Sequence, residues 1–191
     1  MMPQNKASKF SAPSRMLIRD REDYLTDYEW GGVALNNPNL GLRHTLWQLK
    51  YDKLNSEMVI INLTTGLETI LFSNLSLVKR VGLAFDLNMR PTVCYVKDGL
   101  TYLWWYDTVT NQPRTDTFQG ITNPCISLDD TRLVNSSKSD IIFAYQVGRD
   151  LYFRQQRDRY QIPYLFKADT RAGTLHQIGM NSGNRMQFVF K

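Results

Sequence analysis

Residues that commonly carry chemistry are scarce in this chain of 191 residues. It has two cysteines and two histidines, and it contains neither a C-x-x-C pair nor the G-x-S-x-G sequence of a serine-hydrolase elbow. Cys94 lies in an apolar, strand-like run, so we expect a buried free thiol rather than a disulfide or a zinc ligand. The sequence predicts no cofactor and no metal site.

Long apolar runs and basic clusters are missing as well. No stretch of 18 apolar residues exists, so no membrane span is predicted, and the N-terminal sequence has none of the apolar core of a secretory signal. We therefore expect folding in a reducing cytosol. The net charge is only +5 and no five basic residues are consecutive, which disfavours a dedicated nucleic-acid-binding protein.

Helical periodicity is the third absence, and it determines the predicted fold class. No segment repeats its apolar residues every 3.6 positions for more than one or two turns, whereas short apolar runs separated by turn residues are frequent. Asp98-Gly99 is a strong hairpin signal, and Gly148 predicts a second hairpin. The prediction is an all-β fold of antiparallel sheets.

One unit of sequence occurs twice. "TVCYVKDGLTYLWWYD" begins at residue 92, and fifty residues later the chain reads "IFAYQVGRDLYFRQQRD", so that Tyr95 and Tyr102 correspond to Tyr145 and Tyr152. Units of this length built from several strands are typical of propeller blades. The repeats cover about 81–118 and 125–166, with a degenerate copy possible at 42–75. So few blades cannot close a propeller alone, so the chain is expected either to form a small sandwich or open sheet pair or to close by assembling with copies of itself.

The remaining sequence predicts a simple domain organisation. Residues 1–30 are interpreted as a flexible polar arm followed by an acidic segment, and 31–191 as one β-rich domain. Residues 31–42, with two adjacent glycines and an Asn-Pro pair, are expected to form a loop.

Aromatic and arginine residues in the two repeats are the candidate interaction residues. "RQQRDRY" is polar on both faces if it continues as a strand, which favours either a subunit contact or a solvated, charge-protected edge, with phosphate contact as a third option. One Trp of "LWWYD" is expected in the core, and the other is expected to be covered by a subunit or to stack on sugar. The predicted subunit interface contains Trp105, Tyr106, Arg154, Arg157, Arg159 and Tyr160.

Paired carboxylates are the main candidates for catalytic residues in this sequence. Asp86 and the pair Asp129 and Asp130 occupy matching positions in the two repeats, as paired acids of a glycosidase would. The preferred interpretation is that they accept backbone N–H groups in turns. The acidic cluster at 20–29 lacks the spacing of a calcium loop, and neither His44 nor His176 accompanies a recognisable nucleophile.

Several longer strings resemble one family. "DYEWGGVALNNPNLGL", "VGLAFDLNMRPTVCYV", "LYFRQQRDRY" and "GMNSGNRMQF" resemble a family of small tail proteins encoded among the structural genes of tailed bacteriophages and prophages, over about 27–190. The resemblance implies a virion subunit of the tail, in a ring of the collar, nozzle or hub, made in the host bacterial cytoplasm. It supplies no catalytic residue.

Three hypotheses follow from these observations. The first is a non-enzymatic structural subunit of a phage tail that assembles with copies of itself into a ring, contacts other tail or portal-proximal proteins, and meets DNA only as passage through a lumen. The second is a carbohydrate- or receptor-binding β-domain at the tail tip. The third is a glycan-degrading enzyme that uses paired aspartates.

Overall fold

A computed structural model describes residues 28–34, 47–63, 65–86, 88, 90–129, 140–171, 173–180 and 185–191. Within these ranges the chain is all-β and antiparallel, which confirms the predicted fold class. Fourteen strands form four separate sheets, and one 3-10 turn, Gln156–Asp158, follows the eleventh strand.

The first three sheets each have four strands that follow one another along the chain. The first contains β1 (Tyr28–Ala34), β2 (Trp47–Asp52), β3 (Glu57–Asn62) and β4 (Glu68–Phe72). The second contains β5 (Lys79–Phe85), β6 (Pro91–Lys97), β7 (Leu100–Tyr106) and β8 (Pro113–Phe118). The third contains β9 (Thr122–Leu128), β10 (Ile141–Val147), β11 (Asp150–Gln155) and β12 (Tyr164–Lys167). The fourth, within the described residues, has only β13 (Leu175–Met180) and β14 (Met186–Phe190).

The duplicated hairpins adopt equivalent structures. Tyr95 faces Tyr102 across β6 and β7 with stacked rings 5.1 Å apart, and Tyr145 faces Tyr152 across β10 and β11 with stacked rings 6.0 Å apart. In both hairpins two residues separate each tyrosine from the two-residue turn, because the registers match. The sequence repeats thus fall on the second and third sheets. The described residues do not close the sheets into a ring, so the propeller-like part of the prediction stays a prediction.

Turn chemistry explains why these hairpins form where they do. Asp98 and Gly99 both have positive φ, 52° and 77°, as a type I′ turn requires, and Asp and Gly tolerate that conformation best. In the second hairpin Gly148 alone has positive φ, 58°, which fits a type II′ turn with glycine first. Both turns match the right-handed twist of the strands they join.

Three apolar clusters, one between each pair of successive sheets, form the core. The first includes Leu49 and Met58 of the first sheet with Leu83 and Val93 of the second. The second cluster joins sheets two and three, and the third joins sheets three and four. The second and third sheets are therefore covered on both faces, which explains why their central strands β6 and β10 are nearly continuous apolar runs.

The first strands of successive sheets lie against each other. β5 packs against both β1 and β9, and β9 packs against β13. A Cβ atom at Gly82 in β5 would lie 2.8 Å from Ile126 Cγ2 and 2.9 Å from Cys94 Sγ, so glycine permits this approach. Arg80 donates to the carbonyl of Leu175 at 3.2 Å, which links β5 directly to β13. Comparable packing between β13 and β1 is missing in the described part of the chain, so the array of sheets is open.

Two sequence interpretations need correction. β1 occupies Tyr28–Ala34, so a strand begins inside the segment assigned to the arm and continues into the predicted loop. "RQQRDRY" is not a continuous strand, because β11 ends at Gln155 and a 3-10 turn follows. The prediction that the residues of this string alternate between two faces of a strand is therefore wrong. Residues 1–27, which hold most of the proposed arm, lie outside the described residues.

Candidate interaction surface

Two residues of the predicted subunit interface are core residues. Trp105 has 0% and Tyr160 has 1% of its surface exposed, and their rings meet edge to face at 5.1 Å between the second and third sheets. The Trp105 indole N–H donates to Asp116 at 2.7 Å, and burial raises the pKa of Tyr160 well above its usual value. Neither side chain is available to a partner. Trp104, on the opposite face of β7, packs against the first sheet instead.

The three predicted interface arginines bind groups of their own chain. Arg154 donates to the Tyr145 hydroxyl at 3.0 Å and to the carbonyls of Tyr160 and Gln161 at 2.7 and 2.8 Å. Its guanidinium also lies 5.1 Å from the ring centre of Phe118 in β8. Arg154 therefore links the third sheet to β8, the outer strand of the second sheet.

Arg157 and Arg159 are held by buried carboxylates. Arg157 contacts Asp140 at 2.5 Å and Asp129 at 3.3 Å, and the hydrogen bond to Asp140 raises the pKa of Arg157. Arg159 contacts Asp107 at 2.5 Å, which joins the third sheet to the turn after β7. These ion pairs partly neutralise Arg157 and Arg159, whose side chains remain 53% and 40% exposed.

Asp107 is the centre of a polar cluster between the second and third sheets. It accepts the backbone N–H of Val109 at 2.9 Å and contacts Arg114 at 3.1 Å in addition to Arg159. The Val109 hydrogen bond and the two guanidinium groups lower the pKa of Asp107 to about 2, against the opposing effect of burial. A carboxyl group with this pKa is ionised at neutral pH and cannot serve as a general acid.

The aspartates proposed as paired acids have structural partners too. Asp86 accepts the backbone N–H groups of Asn88 and Arg90 at 2.8 and 2.9 Å, as the turn interpretation predicts, and it also contacts the Arg90 guanidinium. Asp129 accepts the N–H of Asp140 at 2.6 Å. Asp130, His44 and most of the acidic cluster lie outside the described residues. In the described part of the chain no three His, Cys, Asp or Glu side chains are placed to hold a metal ion.

A surface depression of about 400 Å³ lies beside the start of the fourth sheet and is lined by Gln146, Arg149, Thr170 and Arg171, among others. Both arginines contact Asp169, so their charge is partly neutralised. The buried Gln146 amide donates to the Gly173 carbonyl at 2.9 Å and accepts the Leu175 N–H at 2.7 Å. Its role is to anchor β13 to the third sheet rather than to meet a ligand.

The most unusual surface is the outer side of the fourth sheet. Met186, Phe188 and Phe190 of β14 pack toward the third sheet, while Gln187 and exposed Val189 face the other way. The ring of Phe166 in β12 lies 4.3 Å from that of Phe188, yet 53% of Phe166 is exposed. The fourth sheet has two described strands where the others have four, and among the described residues these two strands cover the outer part of the third sheet only partly.

Charge marks β14 as different from the other outer strands. β4 begins with Glu68, β8 begins with Pro113 and Arg114, and β12 follows Pro163 and ends at Lys167. Charged residues and prolines at an edge discourage further strand pairing. β14, "MQFVF", contains neither within the strand, although Arg185 directly precedes it and Lys191 directly follows it. This edge was missed in the sequence, although the uncharged string "MQFVF" after only two terminal strands was the available signal.

No protein-family model matches the chain, and a search of curated proteins finds no match. No helix among the described residues is long and apolar enough to cross a membrane. Among the described residues, the features that bear on function are sheets that do not close into a ring, charges paired within the chain, and an outer strand, β14, without a charged residue or proline.

Proposed function

We propose that this protein is a non-enzymatic structural subunit of a bacteriophage tail, which associates with copies of itself in a ring and contacts other tail proteins of the virion. The observation that supports the self-association is the fourth sheet, which has only two described strands and whose apolar outer strand contains none of the charged residues or prolines found at β4, β8 and β12. The placement in a phage tail derives from the family that the sequence resembles.

The polar chemistry of the chain supports a structural role. Asp86, Asp107 and Asp140 bind arginines and turn N–H groups, as buried charges that stabilise a fold do. The carbohydrate-binding alternative relied on Trp104 or Trp105, together with Tyr106, as a stacking platform. Trp105 is fully buried and Trp104 packs against Phe72 at 5.2 Å, so the alternative loses support.

Native mass spectrometry of the purified full chain at micromolar concentration tests the proposal. We expect one dominant closed oligomer, and we expect the subunit to join larger particles when other tail proteins from the same virion are added. A chain that stays monomeric under both conditions would refute the proposal.

A further inference from the structure

A surface depression lies where the turn between β2 and β3 meets the connection that leads from β4 to β5. Its volume is about 290 Å³, at the lower end of the range of small-ligand pockets. Two hydrogen bonds hold its two sides together. The Leu75 N–H donates to the Ser56 carbonyl at 2.8 Å, and the Tyr51 hydroxyl donates to the Leu75 carbonyl at 2.7 Å. These bonds fix the connection against the turn.

The lining of the depression is rich in hydrogen-bond donors. Serine hydroxyls come from both sides, at Ser56 and Ser76, and the lysines that line it are Lys53 and Lys79. Among the described residues no carboxylate lines the depression, and Asp52 in the adjoining turn accepts N–H groups of that turn instead. A lining of this composition favours an anion.

Backbone N–H groups add to these donors. Within the described residues, none of the N–H groups of Ser76, Leu77 and Val78, which line the depression, donates to a backbone carbonyl. Only 2% of Val78 is exposed, and a buried N–H group is rarely left without an acceptor. Successive N–H groups beside a left-handed residue form concave anion sites, and Leu77 is left-handed with φ 55°.

The matching connection of the third sheet shows what is special about Leu77. Leu77 stands two residues before β5, as Gly120 stands two residues before β9. Both are left-handed, with φ of 55° and 73°. Glycine adopts this conformation without strain, whereas leucine does not, and 72% of Leu77 is exposed, so the core does not require a leucine here. Backbone strain of this kind concentrates at binding sites.

The charges of the two connections differ as well. Lys79 is the first residue of β5, and the corresponding first residue of β9 is Thr122. The turn between the second and third strands contains Lys53 in the first sheet, but Asp98 and Gly99 in the second sheet. The lysines of the depression are therefore specific to this position and are not a by-product of the repeated fold.

We infer that this depression binds a phosphate group, either as inorganic phosphate or as part of a small phosphate monoester. A phosphate monoester carries a charge of about −1.5 to −2 at neutral pH and three strong acceptor oxygens. The Lys79 ammonium group, the two serine hydroxyls and the N–H groups of residues 76–78 are its donors, and the exposed Leu77 side chain offers an apolar surface to the organic part. This binding is independent of the proposed self-association.

Isothermal titration calorimetry of the full-length protein tests the site, with glycerol 3-phosphate, inorganic phosphate and glycerol as separate titrants. We expect both phosphates to bind and glycerol not to bind. Equal affinities for the two phosphates would support a site for the phosphate group alone, and tighter binding of glycerol 3-phosphate would support a site for a monoester. Failure of both phosphates to bind at millimolar concentration would overturn the inference.

Two variants with the same change of charge locate the binding. Lys79→Gln should weaken the binding of glycerol 3-phosphate about tenfold or more, because it removes a charged donor. Lys167→Gln, at the exposed end of β12, is the matched control and should leave the affinity unchanged. Equal weakening in the two variants would assign the binding to overall charge and overturn the site.

Two further variants test the donors other than lysine. Ser76→Ala removes one hydroxyl and should weaken binding about threefold. Leu77→Gly reproduces the residue of the third sheet and should weaken binding about threefold without a large change in melting temperature, because glycine removes the strain but leaves the neighbouring N–H groups less ordered. Unchanged affinity in Lys79→Gln, Ser76→Ala and Leu77→Gly would place the binding elsewhere and overturn the inference.

Discussion

The interface between the second and third sheets and the interface between the third and fourth differ in how completely one sheet covers the next. In the first, four strands face four, and Trp105, Phe143 and Tyr160 are fully enclosed. In the second, two strands face four, so Leu175 and Ile178 are buried near the first strands while Phe166 remains half-exposed farther out. Among the described residues, the interface is thus fully covered between the second and third sheets and only partly covered between the third and fourth.

The largest expected difference separates an aromatic residue in the closed interface from one at the open interface. Trp105→Ala should lower the free energy of unfolding by about 3–5 kcal/mol, because it leaves a cavity and deprives Asp116 of the indole N–H. Phe166→Ala should cost less than about 1 kcal/mol in the monomer, since half of that ring already meets solvent. Urea unfolding at one protein concentration measures both. Similar losses would show that the fourth sheet is as well covered as the third.

Gly82→Ala tests the close approach of β5 and β9. The added methyl would meet Ile126 and Cys94 below 3 Å, and we expect a loss of about 1–3 kcal/mol in the free energy of unfolding. Combining it with Ile126→Ala removes one of the two obstructing groups. The double variant should therefore lose less than the sum of the single losses. If the two losses in the free energy of unfolding are strictly additive, β5 and β9 can move apart without an energetic cost.

The Asp107 cluster predicts an acid-dependent component of the closed interface. The folded-state pKa of Asp107 is about 2, below the value of 3.8 for an unfolded chain, so its contribution to stability is complete above about pH 3.8 and is lost as the pH falls toward 2. Arg159→Gln should raise the pKa of Asp107 toward 3.8. The difference in urea midpoint between wild type and variant should accordingly shrink from pH 7 to pH 2.

Arg149→Gln is the control for that titration, because Arg149 pairs with Asp169 on the exposed surface at 3.5 Å. Its urea midpoint should follow that of the wild type at every pH. If the difference in urea midpoint between wild type and Arg159→Gln stays constant from pH 7 to pH 2, Arg159 stabilises the fold only through packing.

The smallest expected effect concerns the two buried thiols, which report local opening of the two interfaces. Cys94 lies in the closed interface, whereas Cys125 lies in the open one with its Sγ 3.5 Å from the His176 carbonyl of β13. Cys125 in a Cys94→Ser variant should react with a thiol reagent about tenfold faster than Cys94 in a Cys125→Ser variant, because the smaller sheet opens more readily. Both should react equally fast in denaturant. Faster labelling of Cys94 would reverse the proposed order of stability.

Local sequence patterns were sufficient to predict the strands and their turns. The hairpins at Asp98-Gly99 and Gly148, the edge position of β12 after Pro163, and the buried state of Cys94 all follow from turn chemistry, proline's missing N–H and apolar runs. The corrections concern contacts made at long range. Arg159 reaches Asp107 across 52 positions of sequence, and nothing in "RQQRDRY" encodes that contact locally.

The sequence by itself determined that this protein is all-β and that two hairpins with matching tyrosine pairs follow each other, because alternation and turn residues act over only a few positions. The tertiary structure decided which surface each residue occupies. Trp104 and Trp105 are adjacent and chemically identical, yet one is covered by the first sheet and the other by the third. It also showed that the arginines of the third sheet are bound within the chain, because the pairing of charges depends on which sheets the fold brings together.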